Sequence, residues 1–143
     1  MKTRANQKLL VLLSPLAVIA LLGAYANANT RDSLDGKWIG NSRIDGDKSL
    51  SKTELKANST EASLRIEGGA TCVLKTGKYA ASNNETWQIS FDEVSGGDVC
   101  SRLAKGVFTF QRGSNTRQLV FQVTYPGADG QENKGRGVLN HYP

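Results

Sequence analysis

The stretch that indicates the fold most clearly is residues 34–44, LDGKWIGNSRI, where a lone tryptophan is framed by glycines at the start of a strand-like run. On an extended strand, successive side chains point to opposite faces. Trp38, Gly40, Ser42 and Ile44 therefore share one face of the predicted strand. We expect that face, with Trp38 on it, to lie against the core of a β protein.

The same alternation recurs along the rest of the chain. Seven further segments show it, separated by turn-forming clusters rich in Gly, Asn, Asp and Pro: residues 53–57, 62–67, 71–75, 85–91, 106–111, 118–125 and 135–142. Only residues 99–105 have a short helical pattern. About eight short antiparallel strands at this spacing predict an all-β domain, either a small barrel or a sandwich.

The N-terminal segment has the three parts of a Sec-type secretory signal. Basic residues come first, residues 9–22 are mostly apolar, and small residues follow as far as Ala28. We predict that residues 1–28 are removed after Ala28, or alternatively after Ala26, leaving one β domain of residues 29–143. No cysteine lies near the cleavage point, so we expect no membrane anchor after cleavage and a periplasmic or secreted bacterial protein.

Removal of the signal changes the charge of the chain. The full sequence carries 18 Lys and Arg against 13 Asp and Glu, a formal net charge of +5. Three of the basic residues lie in the predicted signal, and without them the net charge falls to +2. A strongly basic chain would favour a nucleic-acid partner. The nearly balanced mature chain predicts none.

The only two cysteines, Cys72 and Cys100, are predicted to form one disulfide. An even cysteine count in an exported protein is typical of a structural bridge, because the compartment is oxidising. A metal or redox pair would call for a CxxC spacing or several histidines, and the sequence has neither. In the chain-entropy account, closing this loop stabilises the fold by about 3 to 4 kcal/mol.

Residue patterns of catalysis and cofactor binding are missing from the sequence. A nucleophile activated by imidazole needs a histidine, and the only one, His141, is third from the end. No glycine-rich phosphate loop is present, and residues 45–56 fail the spacing of a calcium loop. We therefore predict no catalytic residue, metal or cofactor. The enzyme hypothesis that stays open is a hydrolase using acids from separate strands.

The stretch Gly36-Lys37-Trp38 resembles the Gly-x-Trp signature that opens the first strand of calycin barrels, lipocalins above all. The longer stretch LDGKWIGN also resembles the opening strand of avidin-type barrels. The resemblance implies that Trp38 closes the base of a barrel beneath a basic residue of the last strand, for which Arg136 is the candidate. It also implies a small apolar ligand in a cavity lined by Phe108, Phe110, Phe121 and Val123.

A second class of function fits the same sequence. Small exported β domains also act as inhibitors, immunity proteins or assembly factors, presenting loops to another protein. The loops at 112–118 and 126–135 carry residue types common at binding hot spots. Their candidate contact residues are Arg112, Arg117, Tyr125, Asp129, Glu132 and Lys134. We favour this reading over ligand storage, because the chain is short for a wide barrel and small barrels are often filled by their own side chains.

Overall fold

The computed structural model describes residues 33–44, 49–80 and 84–143. The predicted signal peptide, the turn-forming cluster at 45–47 and the first two residues of the cluster at 82–84 lie outside the described residues. Among the described residues, no helix is both long and apolar enough to cross a membrane.

Eight antiparallel strands in sequence order close into a barrel, in which each strand pairs with the next and the last pairs with the first. The strands are β1 (Gly36–Ile44), β2 (Ser51–Asn58), β3 (Glu61–Glu67), β4 (Thr71–Lys78), β5 (Thr86–Ser95), β6 (Val107–Arg112), β7 (Gln118–Pro126) and β8 (Glu132–Tyr142). A short helix, α1 (Asp98–Leu103), joins β5 to β6. The all-β prediction is confirmed, and of its two architectures the fold is the barrel.

The alternation seen in the sequence decides which side chains enter the barrel. In β1, Trp38, Ser42 and Ile44 are buried while Asn41 and Arg43 are exposed. The same alternation of buried and exposed positions runs through β7 and β8. Closure pairs both edges of every strand, so the described sheet has no free edge.

Aromatic rings fill the interior of the barrel. Phe108 lies 5.2 Å from Phe91, 6.3 Å from Phe110 and 6.1 Å from Phe121, measured between ring centroids. Phe110 and Phe121 are 5.3 Å apart. Phe108, Phe110 and Phe121 expose none of their surface to water. The rings themselves therefore form the core and fill this part of the barrel interior.

Glycines on the neighbouring strands give the rings room. Gly137 is the cross-strand partner of Phe121, and a Cβ added there would lie 2.8 Å from Cζ of that ring. Gly77 is likewise opposite Phe91, and an added Cβ would lie 2.5 Å from its Cε1. Both distances are below contact, so the rings occupy the volume that a side chain at these positions would need.

The disulfide between Cys72 and Cys100 is confirmed. It joins β4 to α1, with 5.2 Å between the two Cα atoms. Cys100 and Leu103 of the helix are both buried, so α1 packs onto one end of the barrel. A bridge of this kind indicates an oxidising environment, periplasmic or extracellular.

Substitution of Gly137 tests the close packing of the interior. Gly137→Ala is expected to lower the free energy of unfolding by about 1 to 3 kcal/mol, because its methyl group overlaps the ring of Phe121. Gly69→Ala is the matched control, since nothing lies within 4 Å of a Cβ there. Urea denaturation measures both variants. Equal, small effects would contradict a filled interior.

Candidate functional site

Trp38 closes one end of the barrel. Its side chain is only 2% exposed, and its indole Nε1 donates a hydrogen bond to the Leu34 carbonyl oxygen at 2.9 Å. The ring of His141 meets it edge-on, with 4.9 Å between ring centroids and 77° between the planes. Trp38 is therefore part of the core, held at the barrel end by a buried hydrogen bond.

The basic residue over Trp38 is Arg112, at the end of β6. Its guanidinium carbon lies 4.9 Å from the centroid of the Trp38 ring and 5.3 Å from that of Trp87. Nη2 donates to the Ser33 carbonyl oxygen at 2.7 Å, and Nη1 donates to the Thr116 carbonyl oxygen at 3.1 Å. The cation thus lies against two indoles and ties two loops to the barrel end.

The prediction that Arg136 covers Trp38 was wrong. Arg136 lies on the outward-facing positions of β8 and is exposed, whereas Gly137 and Leu139 next to it point inward. A residue on the outer face of a closed barrel cannot reach a ring inside it. A basic residue does lie against Trp38, but β6 supplies it instead of β8.

Tyr79 belongs to the same barrel end. Its hydroxyl donates to Oδ1 of Asp35 at 3.4 Å, and the ring is almost fully buried. Burial, together with the nearby Asp35 carboxylate, raises the pKa of Tyr79 to about 12. The phenol therefore stays protonated at physiological pH and remains a hydrogen-bond donor.

The residues proposed to line an apolar cavity do not face open space. Phe108, Phe110 and Phe121 are fully buried, and Val123 is 2% exposed. A cavity large enough for water would leave part of its lining accessible. These side chains instead pack against one another and form the barrel core.

The two loops proposed for partner binding lie at opposite ends of the barrel. Residues 113–117 join β6 to β7 at the Trp38 end, and residues 127–131 join β7 to β8 at the other. The nine residues of β7 separate them by about 30 Å. The loops therefore do not form one continuous surface.

The candidate contact residues of these loops differ in accessibility. Arg112 is held between the two indoles, and Tyr125 is only 3% exposed, so neither is placed to meet a partner. Four others are exposed: Arg117, Asp129, Glu132 and Lys134. The Asp129 carboxylate accepts a hydrogen bond from the Gln131 backbone N–H at 3.0 Å, which closes its own turn.

A surface that sequence reasoning missed lies on the outer wall of β1, β7 and β8. Two adjoining depressions of about 490 and 500 Å³ meet there, and we call them together the basic groove. The residues shared by both depressions are Arg43, Gln122 and Arg136. Lys134 lines only the first, and Leu50 and Val138 line only the second.

Strand register brings two arginines of the basic groove together. Arg43 of β1 is the direct cross-strand partner of Arg136 of β8, and Gln122 of β7 is the partner of Arg136 on its other side. Both arginines are exposed. Like charges placed directly opposite each other destabilise a sheet. Among the described ion pairs, none includes Arg43 or Arg136.

The excess of positive charge extends beyond the arginine pair. Three adjacent rows of outward residues cross β6, β7, β8, β1 and β2: Val107-Thr124-Lys134, Thr109-Gln122-Arg136-Arg43 and Gln111-Val120-Val138-Asn41-Lys52. Four of these described positions are cationic and none of them is Asp or Glu, but the third row continues on β3 to Glu67, the cross-strand partner of Lys52. The described residues that line the basic groove therefore carry an excess of positive charge.

The nearest acids on the same strands lie outside these rows. Glu132 follows at the β8 start, opposite Pro126. Glu54 of β2 pairs with Lys37 at 3.0 Å and Lys56 at 3.1 Å. Burial alone would raise the pKa of Glu54, but the hydrogen bonds and charges of these two lysines hold it below its ordinary value. Glu54 is thus neutralised by its own neighbours.

Exposed apolar side chains lie beside the row that contains Arg136 and Arg43. Leu50 is 62% exposed and Val138 is 43% exposed, while Val120, the cross-strand partner of Val138, is half-buried. The basic groove therefore offers both cationic donors and apolar contact area. The described residues contain no group of His, Cys, Asp and Glu that could hold a metal ion.

Replacement of Arg112 tests its role at the barrel end. Arg112→Met keeps an unbranched apolar chain like the aliphatic part of arginine but removes the guanidinium, and we expect a loss of about 1 to 3 kcal/mol of unfolding free energy. Arg136→Met is the matched control and should change it by about 0.5 kcal/mol or less. Urea denaturation followed by tryptophan fluorescence measures both. A larger loss for Arg136→Met would contradict the assignment.

The chain matches no protein-family model, no curated protein and no solved structure. Eight-stranded barrels serve many unrelated functions, so the fold alone does not indicate an activity. Function must be read from the packed interior and from the outer wall of this barrel.

Proposed function

We propose that this protein is an exported, non-catalytic binding protein that recognises another protein with the outer wall of its barrel. The observation that carries the proposal is the basic groove, where Arg43 and Arg136 stand opposite each other beside exposed apolar side chains. An arrangement that is unfavourable for the isolated sheet is explained by a partner that neutralises it.

The packed interior supports a binding site on the outside. A calycin-like ligand would need the space that Phe108, Phe110 and Phe121 occupy, and these rings are in mutual contact. Opening such a space would require the rings to leave a closely packed core, at a cost of several kcal/mol. The second candidate function, storage of a small apolar ligand, is therefore less favoured than surface recognition.

The closed barrel also restricts how a partner is recognised. A partner strand is added to a sheet only at an unpaired edge, and the described sheet has none because β8 pairs with β1. Recognition therefore uses outward side chains of the wall. The basic groove combines charged and apolar side chains, as protein interfaces do.

The expected location of the protein agrees with this role. The Cys72–Cys100 bridge requires an oxidising compartment. Together with the signal predicted at residues 1–28, it supports release into the periplasm or the medium, where the partner would be another exported protein. A hydrolase is less favoured, because the described positions of the rows around the basic groove contain no carboxylate pair.

Site-specific photo-crosslinking tests the proposal. A benzoylphenylalanine replacing Val138, in the basic groove, is expected to form a discrete covalent adduct with a protein of the native exported fraction. The matched control replaces Ser90, an exposed residue of β5, four strands from β1 in the barrel order. The absence of an adduct at Val138, or equal adducts at both positions, would contradict recognition by this wall.

A further inference from the structure

We infer that the occupant of the basic groove is an acidic segment of a protein, whose carboxylates bind Arg43 and Arg136 while a neighbouring apolar side chain rests on Val138 and Leu50. This inference rests on the proposed function, since it names the chemistry of the partner for the same surface. Three features of the wall lead to it.

The first feature is the opposed arginine pair. Directly opposite residues of antiparallel strands have Cα atoms about 4.5 to 5.5 Å apart, so the two guanidinium groups reach the same small region above the sheet. No described ion pair neutralises either one. A carboxylate bound between them places an anion against two cations that would otherwise face each other, so attraction takes the place of like-charge repulsion.

The second feature is the hydrogen-bonding chemistry of the row formed by Gln122, Arg136 and Arg43. Arginine presents a planar fork of N–H donors that matches both oxygens of a carboxylate. Gln122 stands next to Arg136 in the same row, and its side-chain amide adds a donor and an acceptor. One or two adjacent carboxylates, with a backbone amide beside them, satisfy these groups.

The third feature is the group of apolar side chains next to the row that contains Arg43 and Arg136. Val138 and Val120 form the next cross-strand pair of outward residues beside Arg136 and Gln122, and Leu50 lines the same depression. An anionic polymer without apolar groups would leave Leu50 and Val138 uncovered. A polypeptide in which Asp or Glu stands near a Leu, Val or Phe covers both rows, and for this reason we favour it over a polyphosphate.

A binding assay with defined peptides tests the inference. The probe is a labelled peptide containing several Glu and Leu residues, compared with a peptide in which Gln replaces each Glu. Fluorescence anisotropy at about 20 mM salt, where surface charges are weakly screened, measures the affinity. We expect the purified protein to bind the acidic peptide and to lose that binding in about 1 M salt.

Two double variants distinguish the effect of Arg43 and Arg136 on peptide affinity from the effect of net charge. Arg43→Gln with Arg136→Gln is expected to weaken binding about tenfold, as for the loss of two exposed ion pairs. The matched control, Arg65→Gln with Lys78→Gln on β3 and β4, removes the same charge elsewhere and should leave the affinity unchanged. Equal weakening by both pairs would overturn the inference, because net charge alone would then explain the binding.

Thermal unfolding gives a second readout that a purely structural role would not produce. Without peptide, Arg136→Gln should raise Tm by about 1 to 2 °C, because it removes the like-charge contact. The acidic peptide should raise the Tm of the unsubstituted protein but not that of the Arg43→Gln, Arg136→Gln variant. A lower Tm for Arg136→Gln would overturn the account of the arginine pair.

Other anions distinguish the remaining outcomes. Inorganic polyphosphate or phosphatidylglycerol vesicles that bind more tightly than the peptide, and depend on Arg43 and Arg136, would overturn the choice of an acidic polypeptide. An adduct at Val138 that persists in the Arg43→Gln, Arg136→Gln variant would leave the proposed function standing and overturn this inference. Peptide binding without any adduct at Val138 would overturn the proposed function but leave the preference of the basic groove for an acidic segment standing.

Discussion

The packing of phenylalanine rings against glycines is the constraint on which the rest of the structure depends. Phe121 lies over Gly137 and Phe91 lies over Gly77, so large side chains fill the barrel only because the opposite strand has none at those positions. The described interior of the barrel is therefore filled by its own side chains. In the function we propose, binding therefore uses the outward residues, where the same alternation presents a second set of side chains.

The two ends of the barrel are closed by different means. At one end Arg112 lies against Trp38 and Trp87 and hydrogen-bonds to loop carbonyls, while at the other the disulfide holds α1 over the core. These contacts stabilise the fold independently of the outer wall. The wall can therefore carry the opposed Arg43 and Arg136, because a repulsion of a few tenths of a kcal/mol is small beside the stability supplied by the core and the ends.

Local patterns in the sequence predicted the strands and the disulfide well, because side-chain alternation and cysteine pairing are properties of the chain itself. Relations between distant strands were not predicted. The alternation in residues 135–142 already placed Arg136 on the face opposite Leu139, but the calycin resemblance assigned it to Trp38. The role of Arg112, and the pairing of Arg43 with Arg136, follow from barrel closure and register, which no short sequence pattern specifies.

Methyl NMR of the labelled protein, titrated with a long-chain fatty acid and with a retinol-sized ligand, tests the filled barrel most directly. The inward methyl groups of Ile89, Leu119 and Leu139 are fully buried and report on the interior. If the rings fill the barrel, their signals stay unchanged at saturating ligand. Saturable shifts of these methyl signals would show an interior binding site and contradict the assignment of binding to the outer wall.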